Sequence, residues 1–217
     1  MSNGVESQYL GLIDFDKALE LQHQYHAKVS AEKKAYILGL EHPLVMTLGL
    51  RAHKLDVNSF CSKPWTAPVF KISRGGLATI HNPGQLVIYP IVDLKYHGLS
   101  VKQFVQVLFE ATQKTLSELG VESTFDLCDQ PGVYTSQGKI AFCGLQIKNG
   151  ITMHGLSINI QNDISVFSDI ESCGVAAPQI DSVKSQGVTY SPRAFFDLWL
   201  KHFNLEAGHS LSNASCQ

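Results

Sequence analysis

Long apolar runs are missing from this chain: none approaches the ~20 residues a helix needs to cross a bilayer, so no membrane span is expected. Charge is sparse and mixed in sign. Lys and Arg number 17 against 19 Asp and Glu, a net charge of -2, and no basic run exceeds Lys33-Lys34. Nucleic-acid binders carry clustered cations, so no nucleic-acid partner is expected. Cysteine is scarce, odd in number and scattered (Cys61, Cys128, Cys143, Cys173 and Cys216), with no Cys-x-x-Cys to hold zinc or cycle as a dithiol. Met1 to Tyr9 contain no basic segment leading into an apolar core. An export signal is therefore not expected, and the thiols are read as free in a reducing cytoplasm. There is no Gly-x-Ser-x-Gly elbow of a serine hydrolase. Gly132 and Gly138-Lys139 approach a phosphate-binding loop but fail it, with five residues between the glycines and Ile140 in place of the required Ser or Thr. Neither a repeat nor a linker interrupts the chain, so residues 1–217 are read as a single domain with a sizeable core.

What is present is an ordinary globular composition, 44% hydrophobic and 17% charged, which argues against disorder. The stretch from Arg74-Gly75-Gly76 through His81 to Pro83-Gly84-Gln85 reads as a binding loop between two strands. Val69 to Ile72 alternates apolar and polar before it. Leu86 to Tyr89 follows as a continuous apolar run, typical of a strand buried on both faces. The glycines let backbone turn or lie against a ligand without a Cβ, and neither Arg74 nor His81 is needed to make a turn.

Around this loop the pattern alternates strands and helices. Gly11 to Phe15 closes a short first strand, and Asp14 or Asp16 caps a helix to about Lys34 with Ala18, Leu19, Tyr25 and Val29 inward. His23 and His26 share that helix without a third ligand nearby, so they are read as partly solvated. Tyr36 to Leu40 and Leu44 to Leu48 are strands, and Arg51 to Pro68 a long surface connection. Ser100 with Gln103 makes a capping box for a helix ending at Gly120. Gly132 to Ile160 reads as a meander of strands, turning at Gln137-Gly138 and at Asn149-Gly150, a strong hairpin signal. Ser191-Pro192 opens a last helix that buries Phe195, Phe196, Trp199 and Phe203.

Two residues stand out for chemistry. Cys173 lies in Glu171-Ser172-Cys173-Gly174, and Lys139 opens the apolar strand Ile140-Ala141-Phe142-Cys143. Singly, a cysteine is more often a small buried hydrophobe, and a hairpin lysine more often solvated. Brought together, the ammonium favours the thiolate and lowers a thiol pKa of about 8.5 toward neutrality. His154, in His154-Gly155-Leu156-Ser157, is either a core histidine or a neighbour of the first loop.

These residues, in this order, resemble the octanoyl-ACP:protein N-octanoyltransferases, the lipoyl(octanoyl) transferases. The resemblance runs from Glu41-His42-Pro43 through Thr47-Leu48-Gly49, Arg74-Gly75-Gly76, His81, Pro83-Gly84-Gln85, Tyr89-Pro90 and Asp93-Leu94. It continues with Pro131-Gly132-Val133-Tyr134, Gly138-Lys139-Ile140, Gly144-Leu145, His154-Gly155-Leu156, Asn159 and Cys173-Gly174. It implies an α/β fold, a mixed sheet flanked by helices, like that of biotin and lipoate protein ligases. It puts the acyl-thioester cysteine on Cys173 and the activating lysine on Lys139. The implied substrate pocket comprises Arg74, Gly75, Gly76, Leu77, Ala78, Thr79, Ile80 and His81, then Phe142, Cys143 and Gly144, then Gly155, Leu156 and Ser157. The implied donor is octanoyl-acyl carrier protein. The implied acceptors are lipoyl domains of 2-oxoacid dehydrogenase complexes and the glycine cleavage H protein, with no cofactor, no metal and a cytoplasmic setting. Lys95, Lys148 and Lys184 are candidates for carrier docking. Three positions depart from the family pattern: Asn82 for glycine, Ser157 for alanine and Ser172 for proline. Rival readings on the same residues are an ATP-dependent lipoate ligase, which needs no nucleophilic cysteine, a non-catalytic carrier-binding module, and a thioester hydrolase using Cys173 with His154.

Overall fold

A computed structural model describes residues 5–54, 56, 57, 61, 64–170 and 179–203. The chain runs β1 (Val5–Leu12), α1 (Phe15–Glu32), β2 (Ala35–Glu41), β3 (Val45–Leu48), β4 (Val69–Lys71), β5 (Ala78–His81), β6 (Gln85–Ile91) and α2 (Val101–Glu118). It continues with β7 (Thr124–Asp126), β8 (Gly132–Tyr134), β9 (Lys139–Lys148), β10 (Ile151–Asn159) and α3 (Pro192–His202). Among the described residues the strands form a seven-stranded sheet, β1-β2-β6-β10-β9-β8-β7, and a three-stranded sheet, β4-β3-β5. Both are mixed: β1 pairs with β2 and β4 with β3 in parallel, and the remaining pairs are antiparallel.

Helices cover the large sheet on both faces. Ala35 and Ile37 of β2 and Leu86 and Ile88 of β6 point to a core shared with α2 and α3. The alternate residues, Tyr36, Leu38, Leu40, Val87, Tyr89 and Ile91, pack with Ala18 and Val29 of α1 on the other side. The continuous apolar run in β6 is therefore a strand buried on both faces, as its sequence indicates. The caps stand where expected: Ser100 and Gln103 form both bonds of the capping box, and Ser191 accepts from the Ala194 N–H with Pro192 in the first turn. Asn149 and Gly150 take φ of 53° and 81° and close the β9–β10 hairpin.

One irregularity shapes the sheet's middle. Pro90 sits inside β6 and has no N–H to offer a neighbour, and the β6–β10 pairing ends at Leu156 opposite Ile88. Beyond it the two strands keep their register, but the ladder is interrupted. Thr152 Oγ1 donates to the Pro90 carbonyl at 2.5 Å and accepts from the Val92 N–H at 2.9 Å. His154 adopts φ 57°, and its N–H goes to Oε1 of the buried Gln22 on α1 at 2.7 Å.

Two expectations from sequence are corrected. Ala78–His81 is a strand, not loop; it pairs with β3 along an edge, and only its latter half is buried, so its apolar signal is weak. The first strand is Val5–Leu12, an edge strand with a mostly exposed, polar pattern, and Phe15 already belongs to the helix.

Packing of α3 on α2 carries one buried polar bond, from Trp199 Nε1 to Thr112 Oγ1 at 3.0 Å. Thr112→Val keeps the shape but strands that indole N–H. The variant is expected to lose roughly 1–3 kcal/mol of stability in urea unfolding. A loss below about 0.5 kcal/mol would mean the bond contributes little.

Candidate active site

The register of three strands gathers the site. Gly132 of β8 stands opposite Phe142 of β9, and Phe142 opposite Ser157 of β10; Gly144 stands opposite Gly155. Val133, Ile140, Ala141, Leu156 and Ile158 turn toward the α2–α3 core. Strand alternation sends Gly132, Phe142, Gly144 and Ser157 to the opposite face. Lys139 joins them because the β8–β9 register shifts between Val133 and Tyr134.

Lys139 is buried, although it opens a hairpin strand. Its Nζ donates to the Pro131 carbonyl at 2.8 Å and reaches the Gln130 carbonyl at 3.4 Å. The rings of Tyr134 and Phe142 each lie 5.2 Å from Nζ. Burial pulls its pKa down to about 8, with Cys143 and Asp126 acting weakly the other way. Phe142 stacks on Phe167 at 5.7 Å with rings 6° from parallel, an apolar wall beside the amine.

The glycine loop docks on the same face. The Gly75 N–H donates to the Leu145 carbonyl at 3.2 Å. Arg74 is buried, and its guanidinium donates to Thr47 Oγ1, to the Thr47 carbonyl at 2.7 Å and to the Gly75 carbonyl at 2.8 Å. All these acceptors are neutral, and burial brings its pKa down to about 10. Arg74 thus fastens the loop to β3. The fit is close: a Cβ on Gly49 would stand 2.5 Å from the Gly76 carbonyl, and one on Gly144 2.9 Å from Arg74 Cδ.

A polar network backs the loop. His81 Nδ1 bonds Gln85 Oε1 at 2.7 Å, Gln85 Nε2 donates to Asn159 Oδ1, and Asn159 Nδ2 donates to the Asp181 carbonyl. Asn82 donates to the Asp163 carbonyl and accepts from Asn162. His42 bonds the Tyr89 hydroxyl, and the rings of His81 and His154 lie within 6.5 Å of His42 and Tyr89 respectively. Burial holds His42, His81 and His154 neutral, with pKa values of about 4, 3 and 4.

The structure therefore brings Lys139, Phe142, Gly144 and Ser157 to one face and docks Arg74 and Gly75 against it, with Gly76 packed on Gly49. Leu77, Ala78 and Thr79 are half-buried along the loop and β5, and Ile80 belongs to the core of the small sheet with Met46 and Leu48. Cys143 and Leu156 pack toward the α2–α3 core and offer the site their backbone. Gly155 lies so near β6 that a Cβ would stand 2.2 Å from the Ile88 carbonyl. Cys173 and Ser172 lie outside the described residues. Sequence reasoning did not assign Thr47, Tyr134 or Phe167 to the site. Cross-strand and loop contacts bring them in; Thr47 and Tyr134 lie within motifs that carry the resemblance, whereas no local pattern marks Phe167. Among the described residues no group of three or more His, Cys, Asp or Glu could hold a metal ion.

Comparison with known proteins agrees with this architecture. A family model described as the lipoyl protein ligase A/B catalytic domain matches residues 14–204. The octanoyltransferase of Chromobacterium violaceum is 35% identical over 210 residues, spanning 95% of this chain and 98% of the relative. Among solved structures, the bipartite lipoate protein ligase of Thermoplasma acidophilum, described with its E2 lipoyl domain, superposes with a TM-score of 0.67 at 13% identity, covering 92% of this chain and 83% of that one. The biotin protein ligase of Aquifex aeolicus gives 0.53 at 12% identity, covering 95% and 71%. The mixed sheet with flanking helices is thus the biotin and lipoate protein ligase fold. By family match and by identity along nearly its whole length, the chain belongs to the octanoyltransferases of the lipoyl protein ligase A/B family.

Proposed function

We propose that this enzyme moves an octanoyl group from octanoyl-acyl carrier protein to the acceptor lysine of lipoyl domains, the first step of protein lipoylation. The path is a thioester on Cys173, with Lys139 as the proton carrier. The acceptors are lipoyl domains of 2-oxoacid dehydrogenase complexes and the glycine cleavage H protein. The T. acidophilum relative, described with an E2 lipoyl domain, supports this acceptor class.

The observation that carries the reading is the buried Lys139 amine, with its pKa near 8, held on the Pro131 carbonyl between the rings of Tyr134 and Phe142. Roughly one such amine in ten is neutral at pH 7, enough to accept a proton in the working enzyme. The last described residue before Cys173 is Ile170, just past the turn whose Phe167 stacks on Phe142, and the first after it is Gln179. The Gln179 carbonyl accepts the Lys139 N–H at 2.7 Å.

In the first half-reaction Lys139 takes the Cys173 thiol proton, and the thiolate attacks the donor thioester carbonyl. The bond to the carrier sulfur breaks, and that sulfur takes the proton back from Lys139. In the second half the acceptor amine attacks octanoyl-Cys173. Lys139 accepts the amine's proton and returns it to the departing Cys173 sulfur, leaving an amide. One thioester exchanges for another and then for a more stable amide, so no nucleotide is consumed. Leu77, Phe142 and Phe167 keep water from the intermediate, where hydrolysis would waste it.

Incubated with octanoyl-acyl carrier protein, the protein is expected to gain one octanoyl group by intact mass, on the peptide containing Cys173, and Cys173→Ser to gain none. An adduct on Cys143 in that variant would contradict the assignment. Lys139→Ala is expected to fold and to slow transfer by about 10²–10⁴-fold. Because the neutral amine is the active form, kcat/KM is expected to rise with pH and level off above about 8. A flat profile between about pH 6 and about pH 9 would remove Lys139 from proton transfer.

A further inference from the structure

The side chain of Lys139 passes directly over Gly132 on the neighbouring strand. A Cβ on Gly132 would stand 2.3 Å from Lys139 Cε, 2.8 Å from its Nζ and 2.7 Å from the Ala141 carbonyl. Gly132 lies within a strand and outside the left-handed region, so the glycine supplies room, not an unusual φ. Past that bare backbone, Nζ reaches the carbonyls of Pro131 and Gln130 between the Tyr134 and Phe142 rings.

The seat is braced from several directions. Tyr134 Oη donates to the Gln130 carbonyl at 2.5 Å. The Asp126 carboxylate accepts the N–H groups of Cys128 and Gln130 at 2.8 Å each, which shapes the loop carrying those carbonyls. The Lys139 main chain is held on its other side, its N–H on the Gln179 carbonyl and its carbonyl on the Asp181 N–H. Among the described residues, the titratable groups acting on the amine are Cys143 from β9 and Asp126 from β7, with the Tyr134 ring from β8 beside it.

We propose that Gly132 is a positioning residue for Lys139: its missing side chain lets the amine lie flat on the sheet against two backbone carbonyls, and any larger residue turns it out of the site. The proposal deepens the transferase reading, since the seat serves the residue assigned there as proton carrier. Its geometric content is nevertheless testable without turnover.

Competitive acetylation of the full chain across pH, read on the Lys139 peptide by mass spectrometry, gives the titration of that amine. The wild-type midpoint is expected near 8. In Gly132→Ala it is expected to move up toward the ordinary value of about 10.4, cutting the neutral fraction at pH 7 on the order of 100-fold. The acid limb of the transfer rate is expected to move with it. An unmoved midpoint overturns the proposal whatever the activity. A moved midpoint with unchanged transfer supports the seat and instead contradicts the role of Lys139 in the reaction. Should Gly132→Ala fail to fold, the stability cycle with Lys139→Ala decides. The Tm penalty of Gly132→Ala is expected to be smaller by about 3 °C or more when Lys139 is already trimmed, and folding restored in the double variant counts as that outcome. Equal penalties in both backgrounds overturn it, the contact with the Ala141 carbonyl then accounting for the whole cost.

Discussion

A primary amine kept out of water is the constraint on which this site depends. Withdrawing the Lys139 ammonium from solvent disfavours its charged form by on the order of 3 kcal/mol, judged from the fall of its pKa to about 8. Two main-chain carbonyls and two aromatic faces offset part of that cost. They do not replace water fully, and the remainder makes the lysine a usable acid and base near neutral pH. The surroundings must be rigid for this to hold. That rigidity comes from the register of β8 on β9 and β9 on β10, which decides which side chains face the amine.

The second polar group on this face follows a different logic. His42, His81 and His154 are pushed well below neutrality by burial; His42 and His81 are hydrogen-bonded to fixed partners, and the His154 ring stands edge-on to Tyr89. The Gln85 oxygen accepts a hydrogen bond from His81 Nδ1–H, and Gln85 is itself oriented by Asn159, so the imidazole tautomer is set by the network. These rings stay uncharged as pH varies around 7, whereas Lys139, with its pKa near 8, titrates just above it. Asn82, where the family pattern has glycine, is absorbed by the same network through Asn162 and the Asp163 carbonyl. On β10, beside the ladder break at Pro90, His154 with φ 57° turns its N–H toward Gln22 and its ring toward Tyr89.

Features encoded over a few residues were legible in the sequence. The Ser100–Gln103 box, the Ser191-Pro192 start and the Asn149-Gly150 turn are short-range physics, and the chain obeys them. The doubly buried β6 was legible from its uninterrupted apolar run. Features that depend on a partner strand were not. β5 looks like loop because its pattern makes sense only beside β3, and β1 looks weak because it is an edge. Lys139 alone reads as a solvated hairpin residue, and only the register shift opposite Tyr134 turns it inward over Gly132. The resemblance named Arg74 as a pocket residue, and its bonds to Thr47 and Gly75 show it fastening the glycine loop to β3.

The account turns on a covalent relay, and a chase experiment addresses it most directly. The protein would be charged with octanoyl-acyl carrier protein, freed of donor and nucleotide, and mixed with an apo lipoyl domain. If the relay operates, the octanoyl group passes to the acceptor lysine in stoichiometric yield with nothing else added. If the group stays on the protein, leaves as free octanoate, or moves only when ATP is supplied, the relay is wrong.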